Sequence, residues 1–347
     1  MTARDPKSIN NVCIVMMSAV GDAVHVLPVI NAIKREHPMA RITWVLQPGP
    51  ASLVRGHPSV DEIITFDRTR GWRAFADVRN ELTRRRFDLL IDLQVYFKAG
   101  IVTALSGAPV RLGFDRARAR DLNWLFTNQR IPAKRVKHVQ DQYFEFLAEL
   151  GISPEPVMWK LGPWPSELDW QREWVSKIER PFAAIVIGSS KAAKDWIPER
   201  WAAVCDVLEK TYDIQPVLVG GESERETQAA ARISLAAAKP PVIALGSGLR
   251  RLVSILDASS LVIAPDTGPL HMAVALDRPV ISLIGYSDPR RTGPYRQFHD
   301  LIIDVYHDPD EKSPVSMKTR TGRMEKIQVA DVESRLAIWN ERYRANS

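Results

Sequence analysis

Short apolar runs alternate with helix-length amphipathic segments along both halves of the chain. That is the pattern of parallel strands joined by crossover helices. Small polar turns carrying glycine follow several of the runs, at Gly21, Gly188, Gly220–Gly221 and Gly268. Between the halves, Pro154, Pro156, Pro163 and Pro165 break a stretch with no apolar period. These observations predict an α/β protein of two Rossmann-like domains, residues 1–155 and 170–327, with a linker at 156–169. A last helix within 328–347 is expected to return to the first domain. A length of 347 residues suits two domains.

Composition sets the class. Hydrophobic residues make up 45% of the chain and charged residues 25%, enough for two cores in a globular protein. No run reaches the roughly 18 apolar residues that span a bilayer. Met1–Asn11 is polar, carries Asp5 and leads straight into a strand, which is not the pattern of a secretory signal. Cys13 and Cys205 sit in apolar segments, so they are expected to fill cores in a reducing compartment. No Cys/His cluster has metal-ligand spacing, and no metal is expected. The net charge is +6, and eight Arg and Lys residues fall between Arg111 and Lys137 against Asp115 and Asp121. Such a block suits a polyanion or an anionic surface. Without a helix-turn-helix, zinc or RNP pattern beside it, nucleic acid is not expected.

The first half opens with the apolar strand Val12–Met17. The turn Ser18–Asp22 follows, then a helix with Val24, Leu27, Ile30 and Ile33 on one face. This is a Rossmann-like opening without the GxGxxG dinucleotide fingerprint. Arg41–Leu46 and Asp61–Phe66 read as strands, the latter at an edge, and 72–86 as a helix. Phe87–Leu93 is a further buried strand, and Gln94–Lys98 opens a helix. Lys98, near that helix start, is a candidate contact for a phosphate or carboxylate. A short strand at Val110–Phe114 leads into the loop from Asp115 to Asn123. His138 precedes a helix at 139–150, which Gly151 closes.

In the second half, Phe182–Ile187 is a strand. It leads into a small basic loop, Gly188–Trp196, and a helix that starts at Pro198. Gln215–Val219 ends at Gly220-Gly221, where backbone can approach a ligand closely. Glu222 stands beside it, placed to accept hydrogen bonds from a ribose. Val242–Leu245 is a strand and Leu249–Ala258 a helix. Leu261–Ala264 is the most telling strand, because Pro265 stops it and Asp266-Thr267-Gly268 turns into a helix with Pro269 in its first turn. A helix start at the C-terminal edge of a parallel sheet offers free N–H groups and a positive dipole end to an anion such as a phosphate. Val280–Ile284 follows and ends in the polar loop Gly285–Pro289.

Several of these segments carry a resemblance. Asp-Thr-Gly-Pro-Leu-His-Met-Ala at 266–273, Ser-Ala-Val-Gly-Asp at 18–22, Asp-Leu-Gln-Val-Tyr-Phe-Lys at 92–98 and Lys194 with Trp196, Pro198 and Trp201 resemble the motifs of the ADP-heptose:lipopolysaccharide heptosyltransferases, glycosyltransferase family nine. Val95 departs from the family pattern, which has glycine there. The resemblance implies a GT-B fold, with the two parallel sheets facing across a cleft, and inverting transfer of heptose from ADP-heptose to the inner core of a lipid A–Kdo type acceptor. It implies Asp22 as the general base, and Lys98, Arg120 and His138 on the acceptor side. On the donor side it implies Ser189, Ser190, Lys194, Glu222, Asp266, Thr267, Gly268 and His271. No cofactor or metal is implied, since the ADP-sugar is a substrate. The chain would attach peripherally to the anionic cytoplasmic face of the inner membrane. A relative with another nucleotide-sugar or acceptor, and a non-catalytic nucleotide-sugar-binding protein, are the alternatives.

Overall fold

The computed structural model describes residues 9–346. Most of the polar opening segment, including Asp5, lies outside them. The chain divides into two compact units, Met1–Arg135 with Val139–Lys160, and Val136–His138 with Leu161–Ser347. The division at Lys160/Leu161 falls inside the expected linker. Asn31 holds the approach to it by donating to the Met158 and Trp159 carbonyls at 2.7 and 3.0 Å.

The first unit runs β1 (Asn11–Val15), α1 (Val20–Glu36), β2 (Arg41–Leu46), α2 (Pro48–Val54), β3 (Glu62–Thr65), α3 (Trp72–Thr83), β4 (Leu89–Asp92), α4 (Phe97–Leu105), β5 (Val110–Gly113), β6 (Gln129–Arg130) and α5 (Val139–Glu149). Its sheet is ordered β3-β2-β1-β4-β5-β6, and every pairing is parallel. Cys13, Val15, Val45 and Leu90 turn to one face, where Ala74, Val78 and Leu82 of α3 and Ala99 and Val102 of α4 cover them. The alternate residues Val12 and Ile14 are fully buried too, as a parallel sheet with both faces covered requires.

The second unit runs α6 (Leu168–Val175), β7 (Phe182–Val186), α7 (Pro198–Tyr212), β8 (Gln215–Gly220), α8 (Glu224–Ala236), β9 (Val242–Leu245), α9 (Leu249–Ala258), β10 (Leu261–Pro265), α10 (Gly268–Ala275), β11 (Val280–Ile284), α11 (Pro289–Thr292), β12 (Ile302–Asp304) and α12 (Val329–Arg342). Its parallel sheet is ordered β12-β11-β10-β7-β8-β9. Both cysteines are buried in the cores.

Some elements differ from the sequence expectation. The prolines at 48 and 50 start α2, because proline is tolerated where helix N–H groups have no partner anyway. Helix α8 begins at a Ser223/Glu226 capping box that the sequence reading passes over. The terminal helix does not return to the first unit. Val332, Leu336 and Trp339 of α12 are fully buried within the second unit. There, Trp339 Nε1 donates to the Ser260 carbonyl at 3.3 Å and the Trp196 indole to that of Ile327 at 3.1 Å.

Strand order locates the loops that matter. In the first sheet the chain reverses direction between β1 and β4, and in the second between β7 and β10. Ligands of open parallel sheets bind outside the C-terminal strand ends at such switch points. The helix starts there carry Asp22 and Lys98 in one unit, and the segments after β7 and β10 carry Lys194 and Asp266 in the other.

Candidate active site

In the first unit, Asp22 is the third residue of α1. Its Oδ2 accepts from the Ala19 N–H at 3.0 Å and its Oδ1 from the Tyr143 hydroxyl at 3.4 Å. Both the helix start and α5 therefore aim the carboxylate, which is half-buried. The loop after β1 is tied to the loop after β4 by Gln94. Its Oε1 accepts from the Met17 N–H and its Nε2 donates to the Ser18 carbonyl, each at 3.0 Å. Beneath lies Asp92, fully buried, accepting from Thr103 Oγ1 at 2.9 Å, Asn123 Nδ2 at 3.0 Å and the Gln94 N–H at 3.1 Å. Burial pushes its carboxyl up to about 6 despite these three donors.

The same network shapes the neighbouring basic loop. Asn123 also donates to the Tyr96 carbonyl at 3.1 Å, and the Arg120 N–H donates to the Val95 carbonyl at 2.7 Å. Val95 has an ordinary negative φ, so valine stands in for the family glycine without strain. Lys98 and Arg120 are exposed side by side with these anchors. Not all of the 111–137 block faces solvent. Arg118 is buried, paired with Asp115 and, at 2.8 Å, with Glu145.

In the second unit, Asp266 is the hub. Lys194 Nζ donates to its backbone carbonyl at 2.7 Å and to its Oδ2 at 3.0 Å. The Ser287 hydroxyl donates to the same Oδ2, and Thr292 Oγ1 does so at 3.2 Å. His271 Nε2 stands 3.7 Å from Oδ1. Burial pushes the Asp266 carboxyl up, but the Lys194 ammonium, then His271 and the Ser287 hydroxyl, outweigh it and hold the group below its usual range. Burial drives His271 down to about 4 against the pull of Asp266, with His138 and Lys194 adding to the fall. The imidazole is thus neutral at pH 7, and Lys194 is the cation that balances Asp266.

Thr267 caps α10 in extended backbone, with its hydroxyl turned back to the Pro265 carbonyl at 3.2 Å. Gly268 and Pro269, which start the helix, are half-buried. Ser189 Oγ lies 2.6 Å from the Lys191 carbonyl oxygen and 3.1 Å from Asp195 Oδ1, so its single hydroxyl hydrogen is used within its own loop, and Ser190 is exposed. Glu222 is exposed past the end of β8, with its carboxylate beside Gly246. His138 departs from the expected layout. It groups with the second unit, its Nε2 3.0 Å from the Gly293 carbonyl and its ring 4.9 Å from that of Tyr295.

A cavity of about 220 Å³ opens beside the loop after β7, lined by Gly188, Asp195, Trp196, Arg225 and Glu226 among others. Lys194, Asp266 and His271 do not line it, so it is separate from the hub. Among the described residues, no group of three His, Cys, Asp or Glu side chains is arranged to hold a metal ion.

Comparison with known proteins decides the class. The profile of glycosyltransferase family 9 (heptosyltransferase) matches residues 75–319. The lipopolysaccharide core heptosyltransferase OpsX of Haemophilus influenzae is 30% identical over 308 residues, 88% of this chain and 87% of that protein. The chain belongs to glycosyltransferase family 9. In fold, this family 9 enzyme is similar to the glycosyl transferase of family 9 from Veillonella parvula. The TM-score is 0.81 at 19% identity, over 95% of this chain and 97% of that one. The Escherichia coli heptosyltransferase WaaC, solved with ADP-2-deoxy-2-fluoro heptose, gives 0.71 at 22% identity, over 95% and 99%. The expected α/β class, two Rossmann-like domains of GT-B type, is borne out.

The sequence reading of this family 9 enzyme marks the loop Gly285–Pro289 but gives no site role to Tyr286, Ser287 or Thr292. The Tyr286 ring lies 5.5 Å from Lys194 Nζ and 5.2 Å from Lys191 Nζ. A signal was available, since the polar run Gly285–Pro289 ends the strand next to β10.

Proposed function

We propose that this enzyme transfers heptose from ADP-heptose to the inner core of a lipid A-linked lipopolysaccharide acceptor, with inversion at the anomeric carbon. The observation that carries the donor half is the Lys194–Asp266 hub at the start of α10. Two of the three ammonium hydrogens of Lys194 go to Asp266, which leaves one for a phosphate oxygen. The cation and the positive end of α10 stabilise the charge that grows on the leaving diphosphate. Neutral His271 and Asp266 Oδ1 take sugar hydroxyls without adding net charge. Glu222 takes the ribose.

On the acceptor side, the attacking hydroxyl oxygen forms a bond to the anomeric carbon. The bond from that carbon to the β-phosphate oxygen breaks, and its electron pair leaves with ADP. The hydroxyl proton passes to Asp22, which its partners Ala19 and Tyr143 keep aimed. Lys98 and Arg120 neutralise acidic groups of the acceptor. That acceptor sits in a membrane, and the exposed basic loop suits peripheral attachment to its anionic cytoplasmic face. Among the described residues no helix is long and apolar enough to cross a membrane.

The test is ADP release from ADP-heptose, with and without a Kdo–lipid A acceptor, beside UDP- and GDP-sugar controls. Acceptor-dependent release from ADP-heptose alone is expected. Asp22→Ala should lower turnover by ~10²–10⁴-fold while ADP binding, read by calorimetry, holds. Release from a different donor overturns the heptose assignment, and undiminished turnover in Asp22→Ala overturns the base.

A further inference from the structure

Among the described residues, ten large apolar side chains stand exposed. Four gather in one place in the first unit. They are Tyr96 and Phe97 (50% and 42% exposed) and Leu122 and Leu125 (each 56%). The segment around 122–126 lies directly on residues 95–97. Asn123 donates to the Tyr96 carbonyl at 3.1 Å, the Arg120 N–H reaches the Val95 carbonyl at 2.7 Å, and the Phe97 and Phe126 rings meet edge to face at 5.3 Å. Lone exposed apolar residues are ordinary, whereas a contiguous group with a polar rim marks a contact surface.

The rim is cationic. Lys98, Arg116, Arg120 and Arg130 are exposed, and Asp121 is the sole exposed acid between positions 96 and 130. Arg116 and Arg130 flank the Trp124 indole, 4.3 and 5.7 Å from its centre. The patch has a firm base, because Asn123 is fully buried against Asp92. Its tip is strained: Asp121 and Leu122 adopt φ of 49° and 61°. Left-handed backbone costs a leucine roughly 1–2 kcal/mol. The fold thus accepts a backbone penalty to hold an apolar side chain in water.

We propose that this patch seats on an anionic lipid bilayer, with Leu122, Leu125 and Phe97 entering the headgroup region and the four cations meeting lipid phosphates. Aromatic and leucine side chains ringed by Arg and Lys are the composition of interfacial segments. A second copy of the chain fits poorly, since the rim holds four cations against one acid and would repel itself. The proposal rests on the acceptor-side reading above for its purpose, because it brings Lys98 and Arg120 to the membrane where a lipid-linked acceptor resides.

The test is co-sedimentation with vesicles of phosphatidylcholine, with and without phosphatidylglycerol, run beside transfer to an acceptor fragment lacking acyl chains. The full-length protein should bind only the anionic vesicles and release in high salt. Leu122→Asn with Leu125→Ser should weaken that binding by roughly tenfold or more and leave ADP binding, read by calorimetry, unchanged. Leu122→Asn alone should weaken binding while melting no lower, because asparagine tolerates left-handed backbone. Unchanged vesicle binding in the double variant overturns the proposal, as does a change in its oligomeric state in place of a loss of vesicle binding. Vesicle binding without any heptose transfer leaves the patch standing and removes the assigned reaction, whereas transfer without vesicle binding does the reverse.

Discussion

Asp92 shows why a single atom type can be obligatory at a buried position. A hydroxyl, a side-chain amide and a backbone N–H all donate to it, and it has no acceptor to answer. Only a carboxylate accepts on every side, and an asparagine would turn its own N–H₂ toward one of those donors. The charge is held at a cost set by burial, which raises the group from 3.8 to about 6. In the unfolded chain it loses its proton near the ordinary value, while in the folded chain it keeps it until about pH 6. The folded state therefore binds more protons between these limits, and stability falls as pH rises through them. The penalty, on the order of 3 kcal/mol, is fully present above pH 6 and absent below the unfolded value. Urea midpoints taken near pH 4.5 and pH 7 should show this loss in the wild-type protein. Asp92→Asn should lack that component, and an equal pH dependence in both proteins would rule out Asp92 as its source. Nothing in the sequence around Asp92 announces this role. Thr103 and Asn123 are 11 and 31 positions away, and only the strand order brings them together.

At the scale of elements, the loops after β7 and β8 are fitted to one another through Glu226. Its carboxylate accepts from the Gly221 N–H at 2.8 Å, the Ser223 hydroxyl at 2.6 Å and the Ser223 N–H at 3.3 Å. That closes the start of α8 and fixes the segment that carries Glu222. Gly188 has to be glycine for this, since a Cβ there would stand 2.4 Å from Glu226 Cγ and 2.7 Å from its Oε1. Gly188→Ala should push Glu226 out and remove its share of the cap, worth about 1 kcal/mol. A drop in melting temperature of roughly 2–4 °C and weaker ADP binding by calorimetry are expected. If neither changes, the two loops are not coupled through this side chain. The Ser223/Glu226 spacing could be read directly from the sequence, but the approach of Gly188 to Glu226 could not, because the two residues sit on different crossover units. Short edge strands such as β6 and β12 escape sequence reading for another reason, since two or three residues carry no period.

For the whole molecule, the two-fold repeat of sheet, switch point and strand-end loops was legible, because alternating runs and glycine turns recur on both sides of the prolines. The place of the last helix was not. An amphipathic helix has an apolar stripe wherever it docks, and its sequence does not say against which sheet. Trp339 answers the question, fully buried with its ring 6.2 Å from that of Tyr212. Trp339→Ala should cost about 3–5 kcal/mol, felt in the second unit. Hydrogen exchange should show amides of β7, β10 and β11 losing protection while those of β1, β2 and β4 keep theirs. The opposite pattern would return the helix to the first domain.

Gln94 has a bearing on how members of such a family are recombined. One amide spans the β1 and β4 loops, and the buried carboxylate under it reaches on to residue 123. Residues 16–22, 92–103 and 120–126 thus behave as a single cassette. A chimera that transplants the basic loop alone into a relative would leave Asn123 facing partners that did not come with it. A chimera that carries all three segments together keeps the bonds of Gln94, Asp92 and Asn123 internal to the graft, so it is the unit to exchange between relatives.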